Sequence, residues 1–294
     1  MVGKLFVERL AAMPDYDVLA TARQPSFVGD ASCGYTQIDL TETRRLTELI
    51  HNFGPNTVVN LAAMTNVDQC EVERDGCWRI NADAVGQMAR ACRRVGSRMV
   101  QVSTDFVFDG ENPLYSETDV PRAVNFYAKS KIAGENAVRD AGVDAWAVAR
   151  PAVVFAARTP SGRGNIALWV REELMAGRTI KVFTDQWRTP TYAPDFAEGL
   201  ERLVRFGKTG VFNMTGREYL SVNQFAHVIA DAFDLDSSLI QESTAADFQQ
   251  TARRPPRTGL ITLKAETEIG FRPRSLTEAL ADLRKQIEAN PSLA

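Results

Sequence analysis

Histidine is nearly absent from this chain, with His51 and His227 far apart and without a companion motif. That scarcity argues against a histidine-built metal centre and against a triad that uses imidazole as its base. Cysteine is sparse as well. Cys33, Cys70, Cys77 and Cys92 form no CxxC pair, so neither a zinc site nor a disulfide framework has support, and free thiols are the plainer reading. No metal is expected. Basic excess is also missing: 34 Lys and Arg against 37 Asp and Glu leave a net charge of -3, which argues against a nucleic-acid binder that must displace counterions from phosphates. Long apolar runs are lacking. The longest, 145–157, is broken by Arg150 and Pro151 and falls short of the ~20 residues a membrane span needs. Residues 1–12 alternate apolar and charged side chains in helical fashion, unlike the unbroken core of a secretory signal, so the expected compartment is the cytoplasm.

What is present is a chain of 294 residues, 45% apolar and 24% charged, able to bury a substantial core in one large domain or two smaller ones. Short β-type runs at 18–22, 36–38, 57–61, 99–103 and 146–149 alternate with helical patterns at 3–12, 42–52, 75–95 and 126–140. That alternation predicts an α/β fold with a Rossmann-like, doubly wound parallel sheet over 1–150. Beyond it, helices at 165–176, 194–206, 221–233 and about 275–288, with strands at 180–183 and 211–214, predict a smaller substrate-binding region over 151–294. Some of its segments are expected to return to the first domain.

Tyr127 and Lys131 stand at i and i+4, hence on one face of a helix. A free phenol has a pKa near ~10, and a neighbouring cation is expected to bring it closer to the range where it exchanges a proton at neutral pH. Reducing a ketone by hydride needs such a proton donor. The alternative is a surface Tyr and Lys that merely share a helix face. Upstream, the buried-type strand ending at Ser103, Thr104 and Asp105 places two hydroxyls and a carboxylate where open α/β sheets collect ligands; a helix cap or turn is the other reading. The strand at 57–61 runs into Ala62 and Ala63, small enough for a flat cofactor ring to approach the backbone or for a helix to pack. Asp39, followed by Leu40, either accepts from an adenine amino group or caps the next helix.

Together these pieces resemble an extended short-chain dehydrogenase/reductase, and within that superfamily the sugar-nucleotide reductases of the dTDP-4-dehydrorhamnose reductase type. The resemblance rests on NLAAMTNVDQCE at 60–71, INADAV at 80–85, VSTDFVFDG at 102–110, YAKSKIAGE at 127–135 and DQWRTPT at 185–191. It implies a catalytic set of Thr104, Tyr127 and Lys131, with Lys131 also bonding the nicotinamide ribose. It further implies that Asp39 and Leu40 flank adenine, that Ala62 and Ala63 line the cofactor groove, and that Asp105 and the 185–191 loop, with Arg188 and Thr189, approach a nucleotide-sugar substrate. A homodimer is compatible with it. Arg253, Arg254 and Arg257 either grip the substrate diphosphate or are solvated charges. Three positions depart from the pattern: Phe106 replaces a usual Tyr, Pro151, Ala152 and Val153 follow Arg150 where Thr-Ser-Trp is common, and Arg188 replaces a usual Gly. These bear on the identity of the sugar rather than on hydride transfer. Two further relatives by resemblance frame the alternatives: a non-catalytic binding protein like the regulatory β subunit of methionine adenosyltransferase, and a sugar-nucleotide epimerase or dehydratase.

The cofactor is expected to be NADP or NAD. The second strand ends at Arg23 without the carboxylate that would bond a 2′-hydroxyl, which favours NADP unless Arg23 is only an exposed charge. The chain opens on a helix, with Gly3 as the third glycine of a phosphate-binding turn. The strand and two glycines that should precede it are expected about ten residues upstream of Met1, and without them the sheet should be interrupted.

Overall fold

The computed structural model describes residues 1–27, 29, 32–158, 164–290 and 293. Its centre is a four-stranded parallel sheet, formed by β3 (Thr57–Asn60), β4 (Arg98–Val102), β5 (Trp146–Arg150) and β7 (Gly210–Asn213) in the order β7-β5-β4-β3. Alternation along these strands supplies both helical layers with a surface. On β4, Val100 belongs to the cluster that also holds Phe6, Leu10, Phe196, Leu200 and Phe271, whereas Met99 joins Leu46, Ile50, Val85, Met88 and Val138. The first layer is α1 (Val2–Ala11) against α8 (Ala193–Arg205), and the second is α2 (Thr43–Phe53), α5 (Ala84–Val95) and α6 (Phe126–Asp140). Helices on both faces of a parallel sheet make this the Rossmann-like fold that the sequence predicts.

A separate parallel pair, β1 (Leu19–Ala22) and β2 (Gly34–Gln37), runs in register from Leu19 opposite Gly34 to Ala22 opposite Gln37. Among the described residues no backbone hydrogen bond joins β1 to β3. The β1–β2 pair and the four-stranded sheet are thus separate ladders among the described residues.

The chain beyond β5 builds a second core from α7 (Ile166–Met175), α9 (Val222–Ala232) and α11 (Leu276–Ala289), packed on the parallel pair β6 (Ile180–Phe183) and β8 (Ile240–Ser243). β8 and the short α10 (Leu263–Ile269) have no counterpart in the sequence reading. Two small ladders hold loops near the sheet: Trp187–Arg188 pairs with Leu220–Ser221, and Gly259–Leu260 pairs with Leu114–Tyr115.

The single helix expected over 75–95 is corrected. α3 (Val67–Val72) and α4 (Arg74–Trp78) precede a π turn, Arg79–Asp83, and only then does α5 begin. The widened turn lets the Asn81 side chain accept from the Met64 amide and donate to the Met64 carbonyl, both at 2.9 Å. Gly134 of α6 lies directly on it, because a Cβ there would stand 2.4 Å from the Asn81 carbonyl oxygen.

Candidate active site

β4 is buried from Arg98 to Gln101 and runs out into Ser103, Thr104 and Asp105, all buried. Thr104 caps a single turn, Asp105–Val107, with its Oγ1 accepting from the Phe106 amide at 3.2 Å. The cap reading is realised, and the hydroxyl still has a proton to give. In this structure it gives it to Asp105 Oδ1 at 3.2 Å.

α6 is fixed at its start by two residues that the sequence reading did not single out. Asn125 accepts from the Ala128 amide and donates to the Arg253 carbonyl, each at 2.8 Å, and Glu71 Oε1 accepts from the Phe126 amide at 2.6 Å. An Asn immediately before a helical run is a readable N-cap signal, whereas the reach of Glu71 from α3 is not. The first turns of α6 bury Tyr127 and Lys131 together. Lys131 Nζ donates to the Val102 carbonyl at 2.8 Å, which brings the ammonium to the end of β4 beside the Thr104 turn. Further along α6, buried Glu135 takes a two-pronged bond from Arg150, at 2.9 and 2.6 Å, and so ties the helix to β5.

Burial brings the Lys131 ammonium down to about 8, against Glu135, which favours the charged form. For Tyr127 the expectation of a lowered pKa is corrected: burial pushes the phenol above its ordinary value, the Thr104 hydroxyl opposes this, and the Asp105 carboxylate adds to it. Desolvation outweighs any help from the cation four residues on. The phenol therefore keeps its proton, which is the form a proton donor needs.

Asp105, Arg188 and Thr189 are all buried beside this cluster. Thr189 Oγ1 accepts from the Leu260 amide at 3.1 Å, and Thr258, unremarked in the sequence, donates to Asp105 Oδ2. The Phe106 ring stands edge-on to Tyr127, with centroids 6.3 Å apart. Val153 has φ 39°, a strained value for a β-branched residue, next to the Ala152 and Thr191 contacts that join β5 to the 185–191 loop. Of the three arginines considered for a diphosphate, Arg254 forks onto Asp68 and Arg257 donates to the Gly110 and Glu111 carbonyls. The Arg253 side chain is exposed.

The other candidates lie along the ends of β1, β2 and β3. Asn60 donates to Gln101 at 2.9 Å and accepts from the Ala62 amide at 3.1 Å, fixing the turn in which Ala62 is exposed and Ala63 half-buried. Asp39 accepts from both the amide and the hydroxyl of Thr41, which holds its carboxyl below the ordinary value, with lesser help from Arg23. The expectation that Asp39 caps the next helix is corrected: Glu42 is the N-cap of α2 and makes no side-chain cap bond, Asp39 closes only a turn ahead of it, and Leu40 packs on the neighbouring core. Gly3 stands in the first turn of α1, which no side chain caps, and a Cβ there would meet nothing within 4 Å. Open space at Gly3, small residues after β3 and a buried ammonium that among the described residues gives one of its three protons to a protein acceptor all fit a dinucleotide. Among the described residues no group of three or more His, Cys, Asp or Glu is placed to hold a metal, and no helix is long and apolar enough to cross a membrane.

Comparison with known proteins agrees with this geometry. The family described as RmlD substrate binding domain matches residues 1–289. A probable low-salt glycan biosynthesis reductase of Haloferax volcanii is 34% identical over 264 residues, covering 89% of this chain and 86% of its own. Methionine adenosyltransferase 2 subunit beta of Rattus norvegicus is 30% identical over 238 residues, covering 79% of this chain and 71% of its own. Among solved structures, a dTDP-4-dehydrorhamnose reductase from Clostridium acetobutylicum is 28% identical with a TM-score of 0.80, covering 87% of this chain and 91% of its own.

Proposed function

Because this chain belongs to the RmlD substrate-binding-domain family, we propose that it is an NAD(P)-dependent reductase of a 4-keto sugar carried on a nucleotide. The observation that carries this reading is the 2.8 Å bond from Lys131 to the Val102 carbonyl, which assembles an ammonium, a protonated phenol and the Thr104 hydroxyl at one strand end. Tyr127 gives its proton to the keto oxygen, and Thr104 hydrogen-bonds the same oxygen. Lys131 has two further protons for the ribose hydroxyls of the cofactor. When bound, the nicotinamide supplies the hydride.

Gly3, Asp39, Leu40, Ala62 and Ala63 line the cofactor groove. Arg23, exposed at the end of β1, favours NADP through a 2′-phosphate. Asp105, Arg188 and Thr189 form the substrate-side wall, and Arg253, exposed and without the ion pair that holds Arg254, is the arginine we assign to a diphosphate. The four cysteines are free, which suits a reducing cytoplasm, and the family resemblance is compatible with a homodimer.

The test is titration with NADPH and NADH followed by turnover of nucleotide-linked 4-keto sugars. Stoichiometric loss of NADPH with formation of the hydroxy sugar is expected. Cofactor binding without net consumption would move the reading to an epimerase or dehydratase, and no cofactor binding at all would move it to a non-catalytic binding protein.

A further inference from the structure

Arg188 is the residue of the substrate-side wall whose chemistry the reductase reading leaves unused, and the role assigned to it rests on that reading. We propose that Arg188 is a positioning residue rather than a substrate ligand: it is the buried counter-charge of Asp105, and through Asp105 it sets how Thr104 presents its hydroxyl beside Tyr127.

The guanidinium is committed to the protein. Nη1 donates to the Trp187 carbonyl at 2.8 Å and the Pro256 carbonyl at 3.0 Å, Nη2 donates to the Pro255 carbonyl at 2.8 Å, and the side chain is 3% exposed. Three carbonyls from two segments hold the planar fork in place, so it cannot swing toward an arriving sugar. Its Nε lies 3.6 Å from Asp105 Oδ2, and its carbon lies 5.2 Å from the centroid of the Phe106 ring. Phe106 and Arg188 are two of the positions that depart from the resemblance, and here the bare ring of one lies under the cation of the other.

Asp105 needs that cation. Its carboxylate is buried, with the hydroxyls of Thr104 on Oδ1 and Thr258 on Oδ2, and among the described residues Arg188 is the cation beside it. Burial works to keep it protonated, and Arg188 opposes this most. The protonation state decides the direction of the Thr104 bond. An ionised carboxylate can only accept, so in the free protein the Thr104 proton rests on Asp105 and its oxygen accepts from the Phe106 amide. A protonated Asp105 could itself donate to the Thr104 oxygen, and the resting orientation of the hydroxyl would no longer be fixed. Arg188 also draws on the Asp105 charge, which weakens its hold on the Thr104 proton and leaves that proton available to a keto oxygen.

Four proteins test this: the natural chain, Arg188→Gln, Asp105→Asn and the double variant. Each single change strands one buried charge, so kcat is expected to fall by about tenfold or more with KM changed by less than about threefold. The double variant, again neutral as a pair, is expected to recover kcat above either single one. Additive losses would overturn the proposal, as would a raised KM at unchanged kcat, which marks a substrate ligand. Arg188→Lys guards against a folding failure, since it keeps the charge without the fork. It must retain more turnover than Arg188→Gln, and equal losses would remove charge as the cause. If the natural chain turns over no 4-keto nucleotide sugar, the reductase reading fails by itself, and the pair is then judged from melting temperatures. Recovery of Tm in the double variant supports the coupling, and additive loss overturns it.

Discussion

Tyr127 and Lys131 are four residues apart, and burial moves them in opposite directions, the phenol up and the ammonium down. Their spacing was legible in the sequence, but the sign of the phenol shift was not, because desolvation depends on what the rest of the chain lays over them. Tyr127→Phe is expected to lower kcat by about 10²–10⁴ with cofactor affinity nearly unchanged, the scale of a lost general acid. Steady-state rates alongside a fluorescence titration of NADPH check both halves. Burial brings the Lys131 ammonium down to about 8, so its charge is expected to be lost as pH rises through that range. Cofactor affinity should therefore weaken as pH rises through that value and stay flat in Lys131→Met; an unchanged dissociation constant from pH 6.5 to 9.5, a window of about three decades in proton activity, would remove Lys131 from the ribose. The arginines show the same limit of sequence reading. Nothing in residues 252–258 announces that Arg254 is taken by Asp68 from the other end of the chain.

At the scale of elements, periodicity located the helices and strands of the first domain to within a few residues, since their apolar spacing follows directly from burying one face. It failed at the π turn. Cys77, Ala82, Val85 and Met88 keep an approximately helical spacing through Arg79–Asp83, so one extra residue in a turn leaves no mark in the pattern. The turn is held by α6 through Gly134, where only a hydrogen faces the Asn81 carbonyl. Gly134→Ala should therefore cost about 1–3 kcal/mol in urea unfolding, as overpacking does, despite the better helix propensity of Ala. A neutral or stabilising result would show that α6 and the turn are free to separate. β8 and α10 escaped the sequence reading because they are short and take their stability from contacts with distant segments.

At the scale of the whole molecule, the division between β1 and β3 stands out. β4 is bonded on both flanks, whereas β1 and β3 are each bonded on one among the described residues. Backbone amides on the unpaired flanks of Leu19–Ala22 and Thr57–Asn60 should exchange hydrogen faster than those of Arg98–Val102, and adding NADPH should slow exchange at β3. Equal protection of β3 and β4 in the free protein would show that another segment pairs with that flank. The segments that close the site across the two cores, Trp187–Arg188 and Gly259–Leu260, come from the second half of the chain, and no local pattern foretold their pairing.

A strand seated from one side also sets the terms of recognition. Asn60, the last residue of β3, holds the Ala62 turn and itself donates to Gln101 of β4, so that turn is positioned from the β4 side. A substitution at Gln101, one strand away, should therefore be felt at the Ala62 turn.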